Sequence, residues 1–389
     1  MKVKILFVLY LSVVVSLFFY SYTQVDLGLT LSTNSFLFSI QRAFQYIGYF
    51  QRPLSTDFFI SILFFLFLFY LLFLKLAEKK LLTKKQVWTL IFVTSFILTF
   101  SYNAFSYDLF NYIFYGKIVV YYHQNPYLYK PLDYPKDPML SFMHWTHATY
   151  PYGPVWLGFV IPLFFIGVKF LSTFFLFKIF ITSAFLGTSY FIGKILQKIK
   201  PQDEIFSLVF FSFNPLVLIE SLVSSHNDIW MVFLAILSLY LLISKKRALS
   251  FLTLLLSIGI KFGTVFLVPL WIVIAFFQKK GKSMDWDKLF LIGFSPIIVA
   301  ILLSSNRTNF QPWYFLYILP YAAFLSKKYY VLIPSVILSL TGLLMYVPFL
   351  YTGNWNPPIP MLLSVFILVG LGLSIVGVLG FKMVKYAHA

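Results

Sequence analysis

The stretch Ser224-Ser225-His226-Asn227-Asp228 separates two apolar runs with a histidine, an amide and a carboxylate in succession. Three polar groups at the mouth of a hydrophobic helix each need partners or water. Their placement costs free energy unless they face an aqueous cavity or a site. Asn227 or Asp228 could simply cap the helix that begins at Ile229, because both residue types are favoured at that position. Capping leaves Glu220 unexplained: it lies inside the preceding apolar run, and a carboxylate at membrane depth is functional by default.

The other carboxylates narrow the search. The 389 residues include 12 Asp and Glu against 30 Lys and Arg. Glu78, Asp203, Glu204, Asp285 and Asp287 sit among lysines in short loops, where solvated charge balance accounts for them. Asp26, Asp57, Asp108, Asp133, Asp137, Glu220 and Asp228 fall on the opposite side, so a group able to take a proton is to be sought there. Asp108, Tyr112 and Tyr115 follow one helical stripe, with Phe110, Phe114 and Ile118 on another face. The pattern fits an amphipathic helix at the membrane surface with its carboxylate facing outward, or an aromatic belt with a cap.

Cations and aromatics complete the set. Lys261 follows the basic Lys245-Lys246-Arg247 cluster by about 14 residues, roughly 21 Å of helix, which carries it toward the opposite leaflet. It either snorkels to the interface or holds a phosphate, and Arg307 is a second candidate for the latter. Trp313 and Tyr314 are belt residues or a stacking surface for a sugar. His144 and His147 have a spacing compatible with one metal site, but two histidines alone do not define one. The sequence has no P-loop, Gly-rich dinucleotide turn, HExxH or GxSxG. Asn306-Arg307-Thr308 matches the glycan acceptor pattern, which has meaning only in a eukaryotic secretory host.

The elements that must position these groups are membrane helices. Hydrophobic residues make up 60% of the chain and charged residues 11%, and apolar stretches of spanning length recur from end to end. A stretch such as FFISILFFLFLFYLLFL is apolar on every face, which excludes the alternating strands of a barrel. The absence of cysteine removes disulfides and thiolate metal sites. The first apolar run is expected to be a retained span rather than a cleaved leader.

The net charge of +18 does not point to nucleic acid, because the lysines fall in alternate short loops and at the termini. By this distribution roughly 21 of the 30 basic residues are cytoplasmic, about six are outside and about three lie within spans. Both termini are then cytoplasmic, with roughly 12 crossings and about 12 to 13 membrane helices in an all-α bundle. Spans are expected near residues 4–22, 57–74, 86–103, 205–223, 228–244, 248–260, 263–277, 289–304, 312–325, 329–350 and 359–381. Residues 154–194 read as two helices that make one net crossing, so one of them is partial, tilted or interfacial. Residues 23–56 and 104–153 are long outer segments, and the chain reads as a single domain, 1–389.

In this order the motifs YDLFNYIFYGKIVVYYHQNPY, YPYGPVW, NPLVLIESLVSSHND, IKFGTVFLVPL and QPWYFLYILP resemble the polyprenyl-phosphate-sugar-dependent glycosyltransferases of the GT-C fold. The resemblance is strongest to the α-1,6-mannosyltransferase branch and covers residues 107–320. It implies a GT-C-type helix bundle in the cell membrane with its active site in the extracytoplasmic loop 104–153. The implied donor is a polyprenyl-phosphate sugar, with mannose as the sugar, and the acceptor is a glycan or glycolipid.

Asp108 matches the family's general base. Tyr112, Gly116, Pro126 and Tyr127 match the pattern that follows it, His226, Asn227 and Asp228 match HND, and Trp313 and Tyr314 match PWY. Lys261 matches a family lysine and, with Arg307, would meet the donor phosphate. Tyr112, Tyr127, Glu220, His226, Asn227, Asp228, Trp313 and Tyr314 would bind the sugar or the acceptor. A divalent cation could assist at the phosphate, although the sequence does not require one. Tyr107, Ser224-Ser225 and Phe262-Gly263 depart from the family's usual residues. A transporter or lipid flippase with a polar midplane pathway is the competing class, but no internal repeat supports it.

Overall fold

A computed structural model describes residues 2–387, with the side chains of Lys2, Arg307, Thr308 and Tyr386 outside what is described. The chain is 77% helical, with no strand among the described residues. Seven helices are long and apolar enough to cross a bilayer, or eight if one bent pair is a single span. This falls short of the expected number of about 12 to 13, since several apolar segments are shorter than a span of about 20 residues. Pro154–Gly167, Asp228–Ile243 and Arg247–Ile258 are of this shorter kind.

Proline accounts for the largest break from expectation, at 312–325. It supplies no N–H and its ring obstructs the preceding turn. Residues 312–325, expected to span, form short turns instead: Pro312–Tyr317, Leu319–Ala322 and Ala323–Leu325, with Pro312 and Pro320 at their starts. The span expected at 289–304 is present as Trp286–Asn306, with a helix junction at Ser295-Pro296. The ambiguity at 154–194 also resolves. Pro154–Gly167 is the short piece, the chain turns at Val168 with φ of 60°, and Phe170–Ile199 is a full span of 30 residues.

The segment 23–56 is more ordered than a polar loop. Asn34 caps a helix, Ser35–Gln45, through the amides of Phe36 and Leu37. The polar face of this helix turns inward: Gln41 pairs with the backbone of Leu29 and Leu31, and Gln45 donates to the carbonyl of Asp26. Phe36, Leu37 and Ile40 face outward. That inside-out arrangement suits a helix lying against lipid.

The bent pair positions the site. Pro201–Ser212 and Pro215–Val223 meet at 57°. Pro215 cannot continue the ladder, and the Asn214 carboxamide caps the second piece by accepting from Leu216 and Val217 while donating to Ser339 at 3.0 Å. The second piece ends in a wide turn, Ile219–Val223, where the amide of Ser224 reaches the carbonyl of Ile219 at 2.7 Å. Its last carbonyls are held by Lys178, which donates to Leu222 and to Val223 (3.0 Å) as well as to Ser101. Ser225, with φ of 59°, then reverses the chain into Asp228–Ile243.

The two ends of the bundle differ. Lys84–Glu204 at 2.6 Å, Lys327–Asp203 and Lys328–Asp287 at 2.8 Å, and a Lys200–Asp287 contact gather the lysine-rich loops at one end. Helix Lys84–Thr99 starts in that cluster and runs to the other end, where Thr99 meets Thr182. Asp228–Ile243 runs the opposite way, from the His226 turn to Ser244, which Lys198 contacts.

Candidate active site

Asp108 opens the helix Asp108–Val120, its amide held by the Ser106 hydroxyl at 3.1 Å. This helix does not lie open on a surface. Leu109 through Gly116 are all buried, because Pro154–Gly167 packs along one side and the loop 121–152 folds over the other. That cap loop is fastened to the helix by Lys117–Asp137 at 2.5 Å and by the Tyr122 hydroxyl donating to Asp137 at 2.7 Å. The Asp108 side chain keeps 18% exposure and is the accessible carboxylate of the site.

His226 lies between two carboxylates. Its Nδ1 is 3.4 Å from Asp108 Oδ2 and its Nε2 is 3.3 Å from Glu220 Oε2. The ring is fully buried and stacks on Trp313 at 4.3 Å. Glu220 is held in turn by the Tyr346 hydroxyl, 2.9 Å from Oε1. The Tyr112 hydroxyl donates to Asp108 Oδ2 at 3.4 Å and accepts from the Asn227 amide at 3.2 Å.

Burial acts to raise the Asp108 pKa, but His226, Lys261 and the Tyr152 hydroxyl outweigh it and hold the carboxyl below its usual range. Burial likewise opposes charge on His226, yet Asp108 and Glu220 lift its pKa to about 9.

The capping explanation of the His-Asn-Asp triplet fails. Asn227 precedes the helix without making a side-chain cap, and its carboxamide, fully buried, makes no hydrogen bond among the described residues. Asp228 is instead gripped by Lys261, whose Nζ lies 2.8 Å from both carboxylate oxygens. Lys261 also sits over the Tyr152 ring at 5.3 Å.

A close crossing of two backbones sets this contact. The Gly153 amide donates to Ile260 at 2.9 Å and Val155 to Gly259 at 3.0 Å, and a Cβ on Gly153 would stand 2.1 Å from the Gly259 oxygen. Only glycine fits there, so the YPYGP turn seats Tyr152 beside Lys261.

Asp108, Tyr112, Glu220, His226, Asn227, Asp228, Lys261 and Trp313 thus come together. Tyr127 and Tyr314 stand one layer out. Tyr127 is at the exposed rim, donating to the Tyr152 carbonyl at 3.3 Å with its ring against Tyr150, and Tyr314 packs against Phe310, Trp313 and Tyr317. Arg307 has its side chain outside the described residues.

No three His, Cys, Asp or Glu side chains among the described residues stand close enough to share a metal ion. His144 stacks on Tyr107 rather than meeting His147. The carboxylate of Asp228 is already engaged by Lys261.

Sequence reasoning passed over Tyr152, Tyr346 and Lys178. Lys178 had a signal, a single charge in an apolar run, the same rule that picks out Glu220. Tyr152 was legible only as part of a turn, and Tyr346 had no signal at all.

No curated protein and no solved structure matches the chain. Residues 26–277, more than half of it, match the family described as Alpha-(1->6)-mannopyranosyltransferase, N-terminal domain, in agreement with the branch that the motifs resemble, and the chain belongs to this glycosyltransferase family.

Proposed function

We propose that the protein transfers mannose from a polyprenyl-phosphate donor to a hydroxyl of a glycan or glycolipid acceptor, on the extracytoplasmic face and with inversion. The observation that carries this reading is Asp108: a part-exposed carboxylate held ionised among buried polar groups, at the end of the bundle opposite the lysine-rich loops. Basic loops favour the cytoplasmic side, so the opposite end faces outward.

Asp108 takes the proton of the acceptor hydroxyl as that oxygen attacks the anomeric carbon. The new C–O bond forms on one face while the bond to the phosphate oxygen breaks on the other, and the electron pair leaves with the polyprenyl phosphate. A β-linked donor gives an α-linked product. An ammonium has three N–H donors, and Asp228 accepts from Lys261 with two oxygens, which leaves one N–H for a phosphate oxygen. Arg307 is the second candidate at the phosphate.

The Asn227 carboxamide, buried and without a hydrogen bond among the described residues, suits a sugar hydroxyl. Trp313 and Tyr314 suit the sugar face, and Tyr127 at the rim suits the acceptor. Trp313 and Tyr346 lie beyond the matched segment yet reach His226 and Glu220, which supports a single domain over 1–389.

Purified protein given radiolabelled polyprenyl-phosphomannose and a mannoside acceptor should form an α-linked mannoside. Transfer from a nucleotide-mannose but not from the lipid donor would overturn the proposal.

A further inference from the structure

We propose that Glu220 and the imidazolium of His226 form a positioning pair that aims the Asp108 carboxylate, so that transfer is lost at alkaline pH when His226 gives up its proton. The inference rests on the reading of Asp108 as the base.

Its first support is the inventory of imidazole donors. A neutral histidine donates from one nitrogen and presents a lone pair at the other. His226 has a carboxylate oxygen near each nitrogen, 3.4 Å at Nδ1 and 3.3 Å at Nε2. In the neutral form one of those nitrogens would turn its lone pair toward an anion, so only the imidazolium suits both. Both contacts are longer than a well-formed hydrogen bond, and opposite charge adds to each.

The second support is how firmly the pair is held. Stacking on Trp313 fixes the plane of the ring. The wide turn brings the His226 amide to the Glu220 carbonyl at 3.1 Å, which fixes the spacing of the two residues, and Tyr346 holds the far oxygen of Glu220. His226 and Tyr112 both act on Asp108 Oδ2, which directs the carboxylate.

The charged and titratable groups around Asp108 come from every neighbouring element: Glu220 and His226 from the bent pair and its turn, Tyr112 and Tyr115 from its own helix, Tyr152 from the cap loop, Lys261 from the helix break, Asp228 from the first turn of Asp228–Ile243, and Tyr346 behind Glu220. Lys261 is already paired with Asp228. His226 is thus the cation in direct contact with Asp108, with Lys261 acting from further off, and Glu220 is what keeps His226 charged.

The test is the pH profile of transfer for the parent, Glu220→Gln and His226→Gln, with Asp108→Asn as the control on the base itself. Removing a neighbouring carboxylate should move the alkaline limb of Glu220→Gln to lower pH by about one unit or more. His226→Gln should lose that limb and raise the acid limb, because Asp108 no longer has the imidazolium against it. A purely structural role would lower the yield of folded enzyme and leave both limbs where the parent has them, and superimposable profiles would overturn the inference.

High activity in Asp108→Asn would instead refute the base reading, which is a separate result. If Glu220→Gln fails to fold, NMR of ring-labelled histidine in the parent decides. One of its five imidazoles should stay protonated well above the usual histidine range, and titration of all five near or below about 6.5 would refute the pair.

Discussion

Lys261 meets both oxygens of Asp228 at 2.8 Å, joining the break after Arg247–Ile258 to the first turn of Asp228–Ile243. Asp228 is fully buried, whereas Lys261 keeps 17% side-chain exposure, so the two partners should differ in how well they tolerate loss of the other. Lys261→Met strands a buried anion and should cost about 3 to 5 kcal/mol of stability. Asp228→Asn leaves a cation that can reach water and should cost less. The double variant should recover most of the Lys261→Met loss, and thermal melts of the four proteins in detergent would measure the coupling.

The crossing at Gly153 gives a second prediction. Gly153→Ala would place a methyl 2.1 Å from the Gly259 carbonyl, which must move, and with it Tyr152 and Lys261. Overpacking of this kind costs about 1 to 3 kcal/mol, and transfer should fall with it. Gly158, in the same Pro154–Gly167 segment, has nothing within 4 Å of an added Cβ. Gly158→Ala should be neutral or slightly stabilising, since alanine favours the helix. Similar melting temperatures for the two variants would contradict the packing argument.

Stability should depend on pH through His226. Its folded pKa, about 9, lies above the unfolded value of about 6.5. Its contribution is therefore complete below about 6.5 and is lost as pH rises toward and through 9. Melting temperature should fall across that window in the parent and fall less in His226→Gln. Asp108 has the opposite sign: its lowered pKa gives stability that is present above about 3.9 and lost as pH falls further.

Sidedness can be read in this cysteine-free chain with single cysteines. Leu128, in the cap loop, is 72% exposed and Lys282 is exposed near the lysine-rich end. An impermeant thiol reagent should label Leu128→Cys in intact cells and Lys282→Cys only after lysis. The reverse pattern would invert the bundle.

The site's chemistry was legible where charge is expensive. Asp108, Glu220, His226, Asp228 and Lys261 stand out because an apolar chain carries few such groups, and all five converge. Their pairing was not legible. Asp228 and Lys261 are 33 residues apart and Glu220 and Tyr346 are 126 apart, and no local pattern specifies either contact.

The same limit applies to the Asp108 helix. Its tyrosine stripe reads as a wet face, but the loop 121–152 folds over it, and the Lys117–Asp137 and Tyr122–Asp137 contacts that fasten the loop are formed only in the folded chain. Hydropathy located the apolar segments but overestimated their continuity at 312–325, where the two prolines weighed more than composition.

The central claim is that Asp108 is the base of a lipid-linked mannosyl transfer, and the most direct test is the single-turnover rate of Asp108→Asn with polyprenyl-phosphomannose under conditions where the parent is active. General-base catalysis contributes about 10²- to 10⁴-fold, so the variant should still fold, bind the donor and transfer at no more than about one hundredth of the parental rate. A variant that transfers within about tenfold of the parent would contradict the account, since one tenfold step corresponds to only about 1.4 kcal/mol of barrier.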